Sequence, residues 1–355
     1  LPTFHFHVSG PPMSVLPSPS ARRIDMHVHV VGNGTGGTGC WYRPQGFTKL
    51  GAPLLVRAVG LPSSVLTGDL DGLYAARLLE LVRGSSLDAV VILAQEDPYT
   101  ESGERITDRS SFYVPNEYVL SLARRHPELL PAVSIHPARR DALEELERCL
   151  AGGAVMLKCL PNCQNIDWND RRYTAFLERM AAAGLPLLAH TGSEHTMPVL
   201  APHLASPRML TRALEIGVTC VAAHCGTGTI ALDPDYFEVF VEMARRFPNL
   251  HGDNSALAGL NFRFRPSARR RLLEPWLAPR ILHGSDLPVP SHGTVMAAFG
   301  MIGWSDYRAS RRIANPLERD VFLKRALGFP EESFTAVNRI LRRPSRTSSA
   351  TIRPT

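Results

Sequence analysis

Eight short apolar runs recur along the chain, and segments with helical periodicity separate them. A continuous run such as Ala89–Ala94 is typical of a strand that is covered on both faces of a parallel sheet. Eight strands that alternate with helices favour a closed (β/α)8 TIM barrel, because an open doubly wound sheet would need a Gly-rich turn opening its first helix. The predicted strands are 24–30, 89–94, 130–135, 154–157, 186–189, 218–223, 250–253 and 280–283.

The barrel pattern extends over residues 21–341, and the segments on either side differ from it in composition. Residues 1–20 are rich in Pro, Ser and Gly and predict an irregular N-terminal extension, whereas the Arg- and Ser-rich stretch 342–355 predicts a disordered tail. After the first strand comes an insertion that runs to about Thr67 and begins with the Gly-rich stretch 32–39. That stretch lacks the ending of a phosphate-binding loop, so we interpret it as a mobile loop at the rim of a site.

Composition restricts the partners and the compartment. The chain has 39 Lys and Arg against 33 Asp and Glu, and the excess is scattered without a basic stripe, which argues against nucleic-acid binding. No apolar run approaches the ~20 residues that cross a bilayer, and the first ten residues lack the basic start of a signal peptide. The six cysteines include no C-x-x-C, so we expect reduced thiols in a cytoplasmic protein. A small-molecule substrate is expected, and homo-oligomerisation stays open.

Polar side chains end several of the predicted strands. His27 and His29 are two residues apart on strand 1, so their side chains point the same way. Taken alone, such a pair is more often a hydrogen-bonded polar pair at the end of a buried strand than a metal site. Four more candidates follow later apolar runs: Lys158, His190, His224 and Asp286. The strand ends meet at one mouth of a barrel, so these residues would come together there. Imidazole and carboxylate together suit a divalent ion such as Zn²⁺, Mn²⁺ or Fe²⁺.

In these motifs the sequence resembles the amidohydrolase superfamily, in particular its amidohydrolase-2 type of metal-dependent hydrolases and decarboxylases. The motifs span residues 24–288 and are Asp25-Met26-His27-Val28-His29, Val155-Met156-Leu157-Lys158, Leu188-Ala189-His190-Thr191-Gly192, Ala223-His224-Cys225-Gly226 and His283-Gly284-Ser285-Asp286-Leu287-Pro288. The resemblance specifies the superfamily and says little about the substrate.

The resemblance implies a role for each strand-end residue. His27, His29 and Asp286 look like ligands of the more buried metal. His190 and His224 look like ligands of a second ion or, in one-metal relatives, like a ligand and a catalytic histidine. Lys158 matches a lysine that binuclear relatives convert to a carbamate, an anion able to bridge two ions. The alternative is a free lysine paired with a carboxylate, so one or two ions, most simply Zn²⁺, stay open.

The expected chemistry follows from the charge of the metal. A metal lowers the pKa of a bound water towards ~7, and Asp286 would take its proton and return it to the leaving group. His224 is the second catalytic candidate. His136, His195 and Arg263 are candidate substrate contacts, and Glu194 is a candidate pocket residue.

The sequence therefore predicts a metal-dependent hydrolase of a small ester, lactone or amide-type bond. A metal-dependent, non-oxidative decarboxylase of the same superfamily is the first alternative. A non-catalytic metal-binding barrel is the second. Asp253 is a candidate support for one of the ligand histidines.

Overall fold

The computed structural model describes residues 21–44, 47–230, 232–257 and 266–343. The predicted N-terminal extension, Arg263 and most of the predicted tail lie outside these residues. The eight parallel strands pair in chain order: β1 (Ile24–His29), β2 (Ala89–Leu93), β3 (Leu129–Val133), β4 (Met156–Cys159), β5 (Leu187–His190), β6 (Cys220–Ala223), β7 (Leu250–Asp253) and β8 (Ile281–Leu282). Each lies within two residues of its predicted bounds.

The sheet closes between its last and first strands. The backbone N–H of Met26 donates to the carbonyl of His283 at 2.9 Å, and that of His29 donates to the carbonyl of Leu287 at 2.8 Å. A third bond runs from the N–H of Asp286 to the carbonyl of His27 at 2.8 Å. The predicted (β/α)8 barrel is thereby confirmed.

Helices surround the barrel and fill the connections. They are α1 (Phe47–Ala58), α2 (Leu70–Arg83), α3 (Asn116–Arg125), α4 (Ala142–Ala151), α5 (Pro161–Gln164), α6 (Thr174–Ala183), α7 (Thr211–Ile216), α8 (Phe237–Arg246), α9 (Pro266–Leu272), α10 (Thr294–Ala298), α11 (Trp304–Arg312) and α12 (Pro316–Ala326). Among the described residues no helix is long and apolar enough to cross a membrane. All six cysteines are buried free thiols.

Side chains fill the barrel interior and close one of its ends. Met26, Val91, Met156 and Leu188 belong to one buried cluster inside the strands, as the alternation of side chains along a strand requires. Residues 336–341, near the C-terminal end of the described chain, pack against the same cluster. The carboxyl ends of the strands are left to carry the site.

The insertion after β1 is more ordered than the prediction of a mobile loop implied. Its Gly-rich start is held by Asp71 of α2, whose carboxylate accepts hydrogen bonds from the backbone N–H groups of Asn33 and Gly34 at 2.9 and 3.0 Å. The insertion then forms α1, a helix that the sequence analysis did not predict. A short antiparallel pair, Trp41–Tyr42 with Phe112–Tyr113, ties it to the loop after β2.

Candidate metal centre

The ends of β1 and β8 bring three predicted ligands together. The Nε2 atoms of His27 and His29 each lie 3.2 Å from Oδ1 of Asp286. The donor atoms of all three residues fall within 4.8 Å of one another, a spacing that fits a single ion. Asp286 has a φ of 65°, which is uncommon for a non-glycine residue. Such backbone conformations cluster at functional sites.

A buried carboxylate fixes the ring of His27. Its Nδ1 lies 2.8 Å from Oδ2 of Asp253, so an N–H donated to this carboxylate leaves Nε2 as the acceptor that faces Asp286. The other oxygen of Asp253 accepts the backbone N–H of His224 at 2.8 Å. Burial would raise the pKa of Asp253, but its contacts with His27 and His224 hold it below the ordinary value. The sequence prediction of a supporting role for Asp253 agrees with these contacts.

Protonation at the centre favours metal ligation. Burial, together with the neighbouring Lys158, lowers the pKa of His27, so its neutral form is favoured. Burial would raise the pKa of Asp286, but His27 and His29 hold it well below the ordinary value, so the carboxylate is ionised. Neutral imidazole and ionised carboxylate are the forms that bind a divalent ion. The residues present therefore fit a metal.

The remaining predicted ligands stand beside this group. Nζ of the buried Lys158 lies 3.2 Å from Nε2 of His27. The ring centroid of His224 is 5.4 Å from that of His27 and 5.1 Å from that of His190. Nδ1 of His224 donates to Ser255, which the sequence analysis missed: the backbone carbonyl lies at 3.1 Å and Oγ, which itself donates to Asp253, at 2.8 Å. Burial lowers the pKa of Lys158 although Asp286 and Asp253 oppose the shift.

The family model described as Amidohydrolase (Amidohydro_2) matches residues 24–311. This chain belongs to the amidohydrolase family. No curated protein matches its sequence.

Three solved structures share the fold of this chain at low identity. An uncharacterised TIM-barrel protein from Bordetella bronchiseptica has a TM-score of 0.55 and 16% identity, over 90% of this chain and 94% of the other. A 5-carboxyvanillate decarboxylase from Sphingomonas paucimobilis gives 0.53 and 14%, over 91% and 99%. A candidate 2-pyrone-4,6-dicarboxylic acid hydrolase from Pseudomonas putida gives 0.51 and 17%, over 92% and 97%.

A cavity of about 390 Å³ opens at the candidate metal centre. All six predicted metal residues line it: His27, His29, Lys158, His190, His224 and Asp286. Glu194 and His195 also line it, with Oε2 of Glu194 3.7 Å from Nε2 of His190 and Nε2 of His195 3.0 Å from Asp233. The six strand-end residues, scattered over the sequence, thus share one chamber.

The structure does not bring His136 to this chamber. Its side chain is buried, with Nε2 2.9 Å from the carbonyl of Gln164 and Nδ1 accepting the N–H of Ala138 at 3.1 Å. Backbone groups thus engage both ring nitrogens of His136, the predicted substrate contact, and the residue does not line the cavity. Arg263 cannot be placed against the cavity because it lies outside the described residues.

Proposed function

We propose that the protein is a metal-dependent hydrolase that adds water across a small ester, lactone or amide-type bond. One observation carries the proposal: Nζ of Lys158 lies 3.2 Å from Nε2 of His27, on the wall that also holds His190 and His224. Addition of CO₂ to this amine, with loss of one proton, would form a carbamate whose two oxygens share one negative charge and would join the three ligands at the ends of β1 and β8. Such a set could hold two ions, which would supply an activated water and polarise a substrate carbonyl.

His27, His29 and Asp286 would hold the first ion, which supplies a water of lowered pKa and a positive charge facing the substrate carbonyl. Asp286 keeps its carboxylate ionised because two histidines contact it, so Oδ2 is available to take a proton from the attacking water. The same oxygen would return the proton to the leaving group. His224, oriented through Nδ1 by Ser255, would either bind a second ion or donate to the substrate.

Decarboxylation is the second candidate, and a specific observation favours it. Among the described residues, only His27, His29 and Asp286 form a group compact enough for an ion. A one-ion site suits an enzyme that binds a carboxylated substrate and handles a single proton. The likeness to a decarboxylase and to a candidate hydrolase is similar and reflects the shared fold, so it favours neither.

Metal content and product analysis of the Lys158→Met variant test the proposal. For the wild type we expect two ions per chain and release of acid and alcohol or amine from a panel of esters, lactones and amides. Lys158→Met should bind fewer ions and lose turnover, because it removes the amine that forms the bridge.

The matched control is Lys49→Met, which alters an exposed lysine of α1 and should leave both readouts unchanged. One ion per chain with CO₂ released from aromatic acids would replace the proposal by the decarboxylase. Bound metal without turnover of any substrate would indicate a non-catalytic barrel.

A further inference from the structure

One side of the cavity is built by the insertion after β1 and by α2. We use the term apolar wall for Ala52, Leu55 and Val56 of α1, Leu66 between the helices, and Leu70 and Tyr74 of α2. The hydroxyl of Tyr74 donates to the carbonyl of His29 at 3.0 Å, so its hydrogen-bonding group is already used by the protein. The apolar wall therefore presents hydrocarbon and an aromatic ring to the chamber.

Further apolar side chains face the chamber from other loops. Phe112 reaches it from the loop after β2, Met197 from the loop after β5, and Pro288 and Val289 from the segment that follows the ligand Asp286. We use the term floor for the polar part of the cavity that the candidate metal ligands form. The apolar surface is thus continuous with this floor. A molecule whose reactive bond sits at the floor must place its remaining atoms against apolar side chains.

Among the described residues that line the cavity, Lys158 is the sole Lys or Arg, and it lies beside His27. A carboxylate placed against the apolar wall would lose its water without gaining a cationic partner from the described residues, which is unfavourable. An alkyl or aryl group in the same place would instead gain from leaving water.

We infer that the substrate carries an uncharged alkyl or aryl group that packs against the apolar wall while its reactive bond lies at the metal centre. This assignment rests on the proposed hydrolase only for the nature of that bond. The substrate class is then a hydrophobic ester, lactone or amide rather than a polycarboxylate.

Two adjacent leucines of α1 provide a matched pair of variants. Leu55 is half-buried and lines the cavity, whereas Leu54 is 64% exposed and does not line it. Replacing either by Asn changes the side chain in the same way and in the same helix. A difference between the two variants therefore reports on the chamber, not on α1.

Linear hydroxamates from acetohydroxamate to octanohydroxamate probe the floor and the wall together when titrated calorimetrically into the zinc-loaded protein. The hydroxamate group chelates zinc, and each added methylene should tighten binding about fourfold until the chamber is full. Leu55→Asn should flatten this dependence and leave acetohydroxamate binding unchanged, whereas Leu54→Asn should behave as the wild type. A hexanohydroxamate with a terminal carboxylate should bind at least about tenfold more weakly than hexanohydroxamate.

Affinity that is independent of chain length, equal behaviour of the two variants, or tighter binding of the carboxylated probe would overturn the inference. Chain-length dependence without ester turnover would keep it and refute the proposed hydrolase. If no hydroxamate binds, linear alcohols from butanol to octanol test the apolar wall of the metal-free protein. Alcohols should then raise the melting temperature of Leu54→Asn more than that of Leu55→Asn, and equal shifts would reject the inference.

Discussion

At the scale of single residues, His27 and His136 show how a hydrogen-bond partner decides the use of a buried imidazole. A carboxylate holds Nδ1 of His27, and Nε2 faces the other ligands. Backbone groups occupy both nitrogens of His136, with Ala138 N–H donating to Nδ1. His27 can therefore bind a cation, whereas His136 is a neutral ring that links the segment after β3 to the end of α5.

His136 should make the folded state acid-sensitive. Burial lowers its pKa to about 4, below the ordinary value near 6.5 of the unfolded chain. Between these two pKa values the unfolded state binds more protons than the folded state. His136 therefore does not change the stability above pH ~6.5, and it lowers the free energy of unfolding by up to ~3 kcal/mol as the pH drops to about 4.

Urea unfolding of the metal-free protein across this pH range measures the effect. The wild type should lose ~3 kcal/mol more than His136→Gln, whose amide can donate to Gln164 without titrating. Groups common to both proteins cancel in the comparison. Parallel pH profiles would show that His136 is protonated in the folded state as readily as in the unfolded chain.

Sequence patterns predicted which residues would meet, but they placed both of these histidines at the site, His27 as a metal ligand and His136 as a substrate contact. Both lie within or directly after an apolar run, and the sequence shows only their positions relative to a predicted strand. The difference lies in partners far along the chain, such as Asp253, which is 226 residues from His27. Ser255 gave no signal for the same reason, since an isolated Ser after a short strand is common.

At the scale of elements, the approach of β8 to β1 depends on Gly284. A Cβ atom at this position would lie 2.7 Å from Cβ of His27 and 3.2 Å from Cβ of Ser255. No side chain fits there unless a strand end moves. Because His27 is a ligand, any such movement displaces the metal centre as well.

Gly284→Ala should therefore lower the free energy of unfolding by about 1–3 kcal/mol and weaken zinc binding. Gly51→Ala is the control, since no described atom lies within 4 Å of its added methyl group and the residue belongs to α1. That change should stabilise the protein by up to about 1 kcal/mol because alanine favours a helix over glycine. Denaturant unfolding and a zinc competition titration measure both effects, and equal results for the two variants would contradict the close approach.

The eight strands could be predicted because each is a compact apolar run, but α1 could not. It contains Pro53, which normally argues against a helix interior, and it follows a Gly-rich loop. Its apolar side chains, among them Leu55 and Val56, contact a chamber that only the folded barrel creates. The sequence thus predicted the floor of the site, whereas the apolar wall required coordinates.

At the scale of the whole molecule, the candidate metal centre joins the first strand of the barrel to the last. His27 and His29 come from the first strand, and Asp286 follows the last one. The sheet closes at the same place through backbone bonds. A ligand set that spans this closure exists only when the barrel is formed, so an ion bound there should favour the folded state over the unfolded chain.

Removing the metal should consequently destabilise the protein, and restoring it should reverse the change. At a free zinc concentration one hundred times the dissociation constant, the expected stabilisation is about 2.7 kcal/mol, visible as a higher melting temperature than in chelator-treated protein. His29→Ala removes one ligand from the closure and should lose most of this shift. His195→Ala alters a half-exposed histidine that contacts Asp233 and should retain the shift. An equal shift in both variants would mean that the stabilising ion binds elsewhere and does not link the first strand to the last.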